Sequence, residues 1–568
     1  MTAIDWRRIL RRRSYLEYDA RARAQALLDA GSMRVLCGPF DRLESPWLVP
    51  QGVVPQADDG VTIAGGTIEG HRVVVASIEQ GFQGGGIGEV SGAKISQALL
   101  LAAADSRAGT PTAAVLLLET GGVRLQEANL GLNAVAEICS AALDLRPLAP
   151  VIGVVAGTVG CFGGMSIVAG LCTRLIVTRE SRIGLNGPAV IEQEAGVAEF
   201  DSGDHALIWA VDGGEQRHAT GLADVLVPDD ADLLRDALRD AVAAGVTPPG
   251  LHRSERPEVL GSRLADLDPA DPPTPNELPG RWGEQYLPVP GEPAPAPRSG
   301  TIATGRGHAW ITALVAGVEP VAVIPSVLRA DTPEAVYLAV VPDPDNPFHR
   351  ARRGEVGLTE SLALAETIAA VVAEDGGRDE ARRAIVAVVD LPSQAYGRLE
   401  EMVGLHQAIA ATVDAYHRAR TSGHPVIAVV VGTALSGGFL AHGLQAAQIL
   451  ALDDSGVEIH AMHKPAAARI TLRTVEELDQ LAQAVPPLSY DVRAWATLGF
   501  CDALLSVQDA AAPTAADVAT VGSAVAAAIR RARTTPPDLS GRLDTAAARR
   551  NRAASRTVRD TLERQWRV

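Results

Sequence analysis

The sequence contains two copies of one pattern, a strand-like run of β-branched residues that ends in a pair of glycines. The first copy is PVIGVVAGTVGCFGGMSIVAG, Pro150 to Gly170, and the second is PVIAVVVGTALSGGFLAHG, Pro425 to Gly443. Another strand-like run precedes each copy, AAVLLLETGGVRLQE and AIVAVVDLPSQAYG. The period is about half the chain, which is too long for a solenoid repeat. Two unrelated strands would not place matched pairs of elements at matched spacing, so we predict a duplicated domain.

Strand-like and helix-like runs alternate in both halves, which predicts an α/β fold with parallel strands. A hairpin is expected over Val61 to Gln80, where two strand-like runs flank a glycine-containing turn. We expect the active site where the two domains face each other. The predicted organisation is an N-terminal helix over 1–30, a first domain over 31–250, a proline-rich linker over 251–300, a second domain over 301–510, and C-terminal Ala- and Arg-rich helices with a solvated basic face over 511–568.

Composition narrows the class of protein. The 568 residues carry a formal net charge of −17, which argues against a nucleic-acid partner. No apolar run reaches the roughly 18 residues that a membrane span requires, so no membrane association is expected. The five cysteines form no CxxC pair, which indicates a reducing cytoplasm and no structural metal. A GxSxG nucleophile elbow and a GxGxxG dinucleotide site are both unsupported.

The duplicated strands end in small residues that open a helix, and such elbows present free backbone N–H groups. Two adjacent elbows can direct two amides at one oxygen, as in an oxyanion hole. Glycine suits these positions because a Cβ would block the substrate and because φ can be positive. Tight turning alone is the alternative interpretation. The candidate donors are Gly122, Val123, Gly164 and Met165 in the first half, and Gln394, Ala395, Gly438 and Phe439 in the second.

Long strings in the chain resemble those of a known family. TGGVRLQE and GGGIGEVSGAKI are similar to elements of the crotonase-type carboxyltransferase superfamily, over about residues 30 to 510. The strings GPFDRLESPWLVPQG, VVPDPDNPFHRARRGEVGL and VDLPSQAYGRLEE are similar to the β and γ subunits of biotin-independent malonate decarboxylases. The resemblance implies two crotonase/ClpP-like spiral α/β domains in tandem, the acyl-CoA carboxyltransferase architecture, as a β–γ fusion.

The resemblance also implies a reaction, the decarboxylation of malonyl-S-acyl-carrier-protein to acetyl-S-acyl-carrier-protein and CO2. Loss of CO2 leaves an enolate, which amides at the thioester oxygen stabilise. The implied partners are an acyl carrier protein subunit and a malonyl/acetyl transferase subunit. No cofactor is expected to be bound covalently, because the carrier brings a CoA-derived prosthetic group. The sequence leaves open whether the chain forms a homo-oligomer.

Polar residues near the elbows complete the predicted site. The sequence does not choose the proton donor to the α-carbon, for which the candidates are Gln126, Ser393, Gln394, Tyr396 and His442. Lys94 is one of only two lysines and follows the glycine-rich segment that holds Gly85 and Gly86. We assign Lys94 and Arg124 to the phosphate-bearing arm of the prosthetic group. The alternative is an ion pair with Glu89 or Glu127.

The second half departs from the pattern of biotin-dependent relatives. SQA follows Pro392 and FLAH follows Gly438, where those relatives are expected to keep PGF and GGAY for carboxybiotin. These departures argue against a biotin-dependent acyl-CoA carboxyltransferase subunit, which is kept as the second hypothesis. A noncatalytic scaffold for the carrier protein is the third, and the retention of all four elbows argues against it.

Overall fold

The computed structural model describes residues 11–38, 41–54, 60–290, 304–315, 317–377 and 381–567. Its first half is built on a seven-stranded sheet whose strands lie in chain order. The first three strands pair antiparallel and the remaining pairs are parallel. These strands are β1 Arg34–Cys37, β2 Val61–Ile68, β3 His71–Ile78, β4 Ala113–Leu117, β5 Val151–Val155, β6 Arg174–Thr178 and β7 Val225–Val227.

The second half repeats this plan in an eight-stranded sheet. Its strands are β8 Val321–Ile324, β9 Val327–Asp331, β10 Ala335–Val340, β11 Ala384–Leu391, β12 Val426–Leu435, β13 Gln448–Leu452, β14 Ile459–His460 and β15 Ala503–Leu505. The order is β15-β13-β12-β11-β10-β9-β8, and β14 extends the pairing of β12. Again an antiparallel meander leads into parallel strands. The duplicated α/β fold is therefore confirmed, as is the hairpin formed by β2 and β3.

Helices connect the parallel strands and cover both sheets. In the first half they are α1 Ala20–Leu27, α2 Glu89–Arg107, α3 Ala128–Leu145, α4 Gly164–Leu171, α5 Pro188–Ala195, α6 His205–Asp212, α7 Gly214–Ala219, α8 Ala231–Ala243, α9 Pro257–Ala265 and α10 Leu278–Trp282. In the second half they are α11 Arg306–Leu314, α12 Leu358–Glu374, α13 Arg398–Val403, α14 Leu405–Thr421, α15 Ser436–Ala441, α16 Lys464–Ile470, α17 Val475–Ala484, α18 Val492–Ala496, α19 Ala515–Ala532, α20 Ala546–Asn551 and α21 Ala553–Trp566. Among the described residues, no helix is both long and apolar enough to cross a membrane.

The helix predicted over residues 1–30 is shorter in the structure. Residues 1–10 lie outside the described part, residues 12–19 are not helical, and α1 begins only at Ala20. Two contacts account for this. The Asp229 carboxylate accepts from the backbone N–H groups of Tyr15 at 2.8 Å and Leu16 at 3.0 Å, and the Asp19 side chain caps α1. Side-chain acceptors thus replace the helical bonds of this stretch.

The predicted linker is folded over 251–290, and 291–300 lies outside the described residues. Pro257 occupies the first turn of α9, where the missing N–H costs nothing. Leu260 and Leu278 are fully buried. The Arg263 guanidinium lies over the ring of Trp282 at 4.9 Å. The proline-rich segment therefore forms helices that pack on the rest of the protein, and it is not an extended linker.

The C-terminal region also differs from its prediction as helices with a solvated basic face. Helix α21 packs against α2 of the first half. Arg552 and Arg559 each donate to the Glu137 carboxylate of α3 at 2.7 Å, and Arg542 donates to Asn133 at 2.9 Å. A carboxylate as deeply buried as Glu137 requires cationic partners, which these arginines supply. The end of the chain thus fastens the second half to the first.

The two halves also meet face to face through α4 and α14. The approach is close, because a methyl group on Gly170 of α4 would lie 2.9 Å from Cβ of Ala410 on α14. Arg146 donates to Asp414 across the same interface at 2.9 Å. This contact places the N-termini of α4 and α15, and hence the elbows, at the boundary between the halves.

Candidate active site

A cavity of about 470 Å³ lies at this boundary and is lined by both halves. The sequence-predicted site residues that line it are Gly86, Val123, Arg124, Gln126, Gly164, Gln394 and Tyr396. The others do not line it: Gly85, Lys94, Gly122, Met165, Ser393, Ala395, Gly438, Phe439 and His442. The structure therefore brings about half of the predicted set to one cavity.

Two elbows of the first half touch each other at this cavity. Gly122 follows β4 with φ of 111° and Gly163 precedes α4 with φ of 60°, values that favour glycine. A methyl group on Gly163 would lie only 2.9 Å from the Gly122 Cα. Glycine is needed at Gly163 for both reasons, backbone conformation and close approach.

The same contact leaves two amides available. The Ile87 N–H donates to Gly122 O and the Arg124 N–H donates to Ile87 O, each at 2.9 Å, so the Val123 N–H between them points away from Ile87. Gly164 begins α4. In the described part of the chain neither the Val123 nor the Gly164 N–H has a hydrogen-bond partner. Both residues line the cavity, where unpartnered N–H groups can donate to an oxygen of a bound molecule.

Gly122 and Met165, the other predicted first-half donors, do not fit this role. The Gly122 N–H donates to the Thr120 hydroxyl at 3.0 Å. Met165 is fully buried behind the elbow. The first half therefore offers one amide from each elbow.

The second half has the same elbows in a different register from the predicted one. Thr120 bridges Cys161 in the first half, and the equivalent pair in the second half is Leu391 with Ala434. Counting on from these pairs aligns Gly163 with Ser436 and Gly164 with Gly437. Ser436 has φ of 58°, close to the 60° of Gly163, which supports the alignment.

The pairing of Gly163-Gly164 with Gly437-Gly438 in the sequence is therefore wrong by one residue. The cause is the connection between the strand and the elbow, which is two residues longer in the first half (Gly157 to Gly163) than in the second (Gly432 to Ser436), whereas matching the two glycine pairs allows for only one. Gly438 consequently packs behind the elbow, where a methyl group would lie 2.5 Å from Ser393 O. Phe439 is buried in the core.

Hydrogen bonds also show which of the remaining second-half N–H groups already have an acceptor. The Ala395 N–H donates to Val356 O at 3.1 Å, so the prediction of a free Ala395 amide is wrong. The Gly437 N–H donates to Oε1 of the Gln394 side chain at 2.8 Å. The elbow that matches Val123 and Gly164 thus already holds an amide oxygen.

Asn186, which the sequence analysis missed, supports this arrangement from the first half. It accepts from Gln394 Nε2 at 2.7 Å and donates to Ala395 O at 2.8 Å. The Glu401 carboxylate holds Asn186 in turn, accepting from its backbone N–H at 2.8 Å and its side chain at 2.9 Å. Burial raises the pKa of Glu401. The only sequence signal for Asn186 was its place in the string GLNGPAV.

Comparison with known proteins is consistent with this architecture. Residues 351–566 match the family model of the malonate decarboxylase gamma subunit, and residues 19–271 match the carboxyl transferase domain. Over 230 residues the chain is 40% identical to malonyl-S-ACP:biotin-protein carboxyltransferase MADC of Malonomonas rubra, covering 39% of this chain and 72% of that protein. The chain belongs to the malonate decarboxylase family of carboxyltransferases. A Pseudomonas malonate decarboxylase hetero-tetramer, solved in complex with malonate, contains a chain that is 57% identical, with 49% of this chain and 99% of that one covered and a TM-score of 0.47.

Within this malonate decarboxylase framework, contact with the cavity separates Tyr396 from the candidate proton donors Ser393 and His442. Ser393 is buried and its hydroxyl donates to Gln394 O at 2.6 Å. His442 is buried beside the Tyr416 hydroxyl at 2.7 Å, and burial lowers its pKa to about 4. Tyr396 lines the cavity, with its hydroxyl 3.5 Å from Ser436 Oγ. Burial raises the pKa of Tyr396 well above its usual value, so it remains a neutral O–H donor.

The two cations predicted to bind phosphates are placed differently. Lys94 is fully buried and its Nζ donates to Val61 O at 2.9 Å, so its assignment to an external anion is wrong. Arg124 lines the cavity wall but pairs with Glu127 at 2.9 Å, as the alternative interpretation had it, and its guanidinium also donates to Gly86 O at 2.7 Å. The glycine-rich loop thus holds the Arg124 side chain in place through Gly86 O.

Arg182 is the cation that the sequence analysis missed. It lines the cavity and lies over the ring of Trp209 at 4.9 Å, with its Nε donating to Thr158 O at 3.1 Å. Among the described residues, its guanidinium donates only to Thr158 O and forms no ion pair with a carboxylate. No carboxylate is found among the residues that line the cavity either, so its electrostatics favour an anion. The described chain also contains no cluster suited to a metal ion.

Proposed function

We propose that this chain is the decarboxylase core of a malonate decarboxylase. It converts malonyl-S-acyl-carrier-protein to acetyl-S-acyl-carrier-protein and CO2 without biotin. The bond between the α-carbon and the carboxylate breaks, CO2 leaves, and the electron pair forms an enolate on the thioester oxygen. A proton then adds to the α-carbon.

The observation that carries this proposal is the pair of unpartnered amides of Val123 and Gly164 at touching elbows. Amides fixed at the thioester oxygen stabilise the enolate more than the ground state, because negative charge develops on that oxygen. Removing one such donor typically costs about 3 to 4 kcal/mol of transition-state stabilisation. The first half therefore takes the thioester.

The rest of the cavity fits the same reaction. Arg182 supplies positive charge for the malonyl carboxylate, and Tyr396 supplies an O–H group for the α-carbon. Leu132, Leu185 and Leu440 line the wall near the elbows. An apolar wall of this kind solvates a carboxylate poorly and CO2 well, which favours departure of CO2.

The substrate is proposed to arrive on the CoA-derived prosthetic group of an acyl carrier protein, loaded by a malonyl/acetyl transferase subunit. The name of the Malonomonas rubra relative specifies malonyl-S-ACP as that protein's substrate, which supports the carrier. The chain itself needs no covalent cofactor in this scheme.

Mass spectrometry of a malonyl-loaded carrier protein mixed with this chain tests the proposal. We expect the carrier mass to fall by one CO2, with or without avidin. Malonyl-CoA in a parallel arm separates a requirement for the thioester from a requirement for the carrier. A carrier that keeps its malonyl group under all conditions would refute the proposal.

The second candidate is a biotin-dependent carboxyltransferase, which the name of the same relative favours. In that case, CO2 would pass to a biotinylated acceptor. The experiment distinguishes the two functions, because avidin would then block loss of the malonyl carboxylate and a biotinylated acceptor would gain mass.

A further inference from the structure

We propose that the side chain of Gln394 occupies the second-half elbow and closes it to a second carbonyl substrate. The inference rests on the proposed function in one respect, that the first-half elbow receives the thioester. It adds that only one elbow of the cavity can bind a substrate carbonyl, although the duplicated fold contains two such elbows.

The two elbows correspond residue by residue. Val123 bridges Ile87, which precedes the N-cap glycine of α2, and Gln394 bridges Val356, which precedes the N-cap glycine of α12. Val123 and Gln394 are therefore equivalent, as are Gly164 and Gly437. The first-half elbow presents the backbone N–H groups of Val123 and Gly164, and the second-half elbow presents those of Gln394 and Gly437.

In the second half this position is filled from within. Gln394 Oε1 accepts the Gly437 N–H at 2.8 Å. This oxygen is an amide carbonyl, chemically the same acceptor that a thioester or a urea would present. A substrate carbonyl that reached Gly437 would have to displace it.

The filling group is itself held in place. Gln394 is 7% exposed and Asn186 is 2% exposed, and the two side chains bond to each other at 2.7 Å. Glu401 fixes Asn186 with two further hydrogen bonds. A ligand must break the bonds of Gln394 to both Gly437 and Asn186, at about 1 kcal/mol each, which lowers its affinity about thirtyfold.

The first-half elbow lacks the equivalents of both Gln394 and Asn186. Val123 takes the place of Gln394 and has no acceptor in its side chain. The strand bridges Cys161 to Ile183 and Ala434 to Ile459 align Asn186 with Met462, which likewise offers no amide. The two elbows therefore differ in one pair of side-chain amides. Only the first-half elbow, which lacks that pair, is open to a substrate carbonyl.

Equilibrium dialysis with radiolabelled 2-imidazolidinone, a cyclic urea like that of biotin, tests the inference. Wild-type protein saturated with acetyl-CoA should bind almost none of it. Gln394→Val, which copies the first half, should bind about one urea per chain beside acetyl-CoA, with at least tenfold higher affinity. Gln394→Asn serves the same purpose if the valine variant does not fold, because its shorter amide falls short of Gly437.

Two further variants complete the design. Val123→Gln with Met462→Asn copies the filled pair into the first half and should lower the affinity for acetyl-CoA at least tenfold. Thr471→Val removes a hydroxyl of the cavity wall that donates to Ala467 O at 2.7 Å and to neither elbow, and should bind the urea and acetyl-CoA as wild type does.

The outcomes separate this inference from the proposed function. Binding of the urea to wild type beside acetyl-CoA, or no gain in a folded Gln394 variant, would overturn the inference whether or not CO2 is released. If the binding pattern is as expected but malonyl-carrier is not decarboxylated, only the proposed function fails.

Discussion

Replacing Gly163 by alanine would separate the two first-half elbows, and its effect can be worked out from the structure. The added methyl group would lie 2.9 Å from the Gly122 Cα, against the roughly 3.5 Å that two carbon atoms prefer. One elbow must move by about half an ångström, which misdirects the Val123 or the Gly164 amide. Loss of one donor predicts a fall in kcat of about 10²- to 10³-fold.

The same substitution strains the backbone, because φ at Gly163 is 60°. Strain of this kind costs about 1 to 3 kcal/mol of folding stability. Gly109→Ala is the matched control, since Gly109 has φ of 89°, no atom within 4 Å of the added methyl, and lies at the far end of α2.

Steady-state release of CO2 from malonyl-carrier, measured beside thermal unfolding, checks the prediction. Both variants should lose stability, and only Gly163→Ala should lose turnover. If Gly163→Ala keeps activity within threefold of wild type, the amides of these elbows do not hold the enolate.

Four further substitutions test single side chains. Tyr396→Phe should lower kcat about 10²-fold or more with little change in KM, as expected for loss of a proton donor, and rapid-quench kinetics should show the chemical step slowed. Arg182→Gln should raise KM for malonyl-carrier about tenfold, whereas Lys94→Met should lower the melting temperature and leave KM unchanged, because Lys94 is buried. Glu89→Gln should remove a pH dependence of the free energy of unfolding, because burial raises the pKa of Glu89 from 4.5 to about 7. The wild type is therefore stabilised below pH 4.5 and loses about 3 kcal/mol relative to the variant as pH rises through 7. Urea unfolding at a series of pH values would measure this difference.

Local patterns predicted the elements of the fold well. The strand-like run that follows Pro150 is β5, and the helix that the first glycine pair was expected to open is α4. Both rest on contiguous residues: a β-branched run forms a buried strand, and small residues permit the turn into a helix. The duplication itself was visible because the strand and the elbow repeat together.

Long-range packing decided what the sequence did not reveal. The scarcity of lysine marked Lys94 as unusual, but its reason is a buried bond to Val61 O, which only the packing of α2 on β2 creates. The register of the second elbow depends on pairing Leu391 with Ala434, and a loop that is two residues shorter than in the first half shifted the glycine pair by one position. Asn186 acts across the boundary between the halves, so no local pattern could assign it.

The comparison of the two elbows explains how a duplicated site can come to serve one substrate. Both elbows keep the backbone that presents two amides, since the same strands and helices produce it in each half. The difference lies in side chains: valine and methionine leave the first elbow open, and glutamine and asparagine fill the second. Gln394 supplies the Gly437 N–H with the acceptor that a substrate carbonyl would otherwise provide. Loss of the second carbonyl position therefore needs no change of fold.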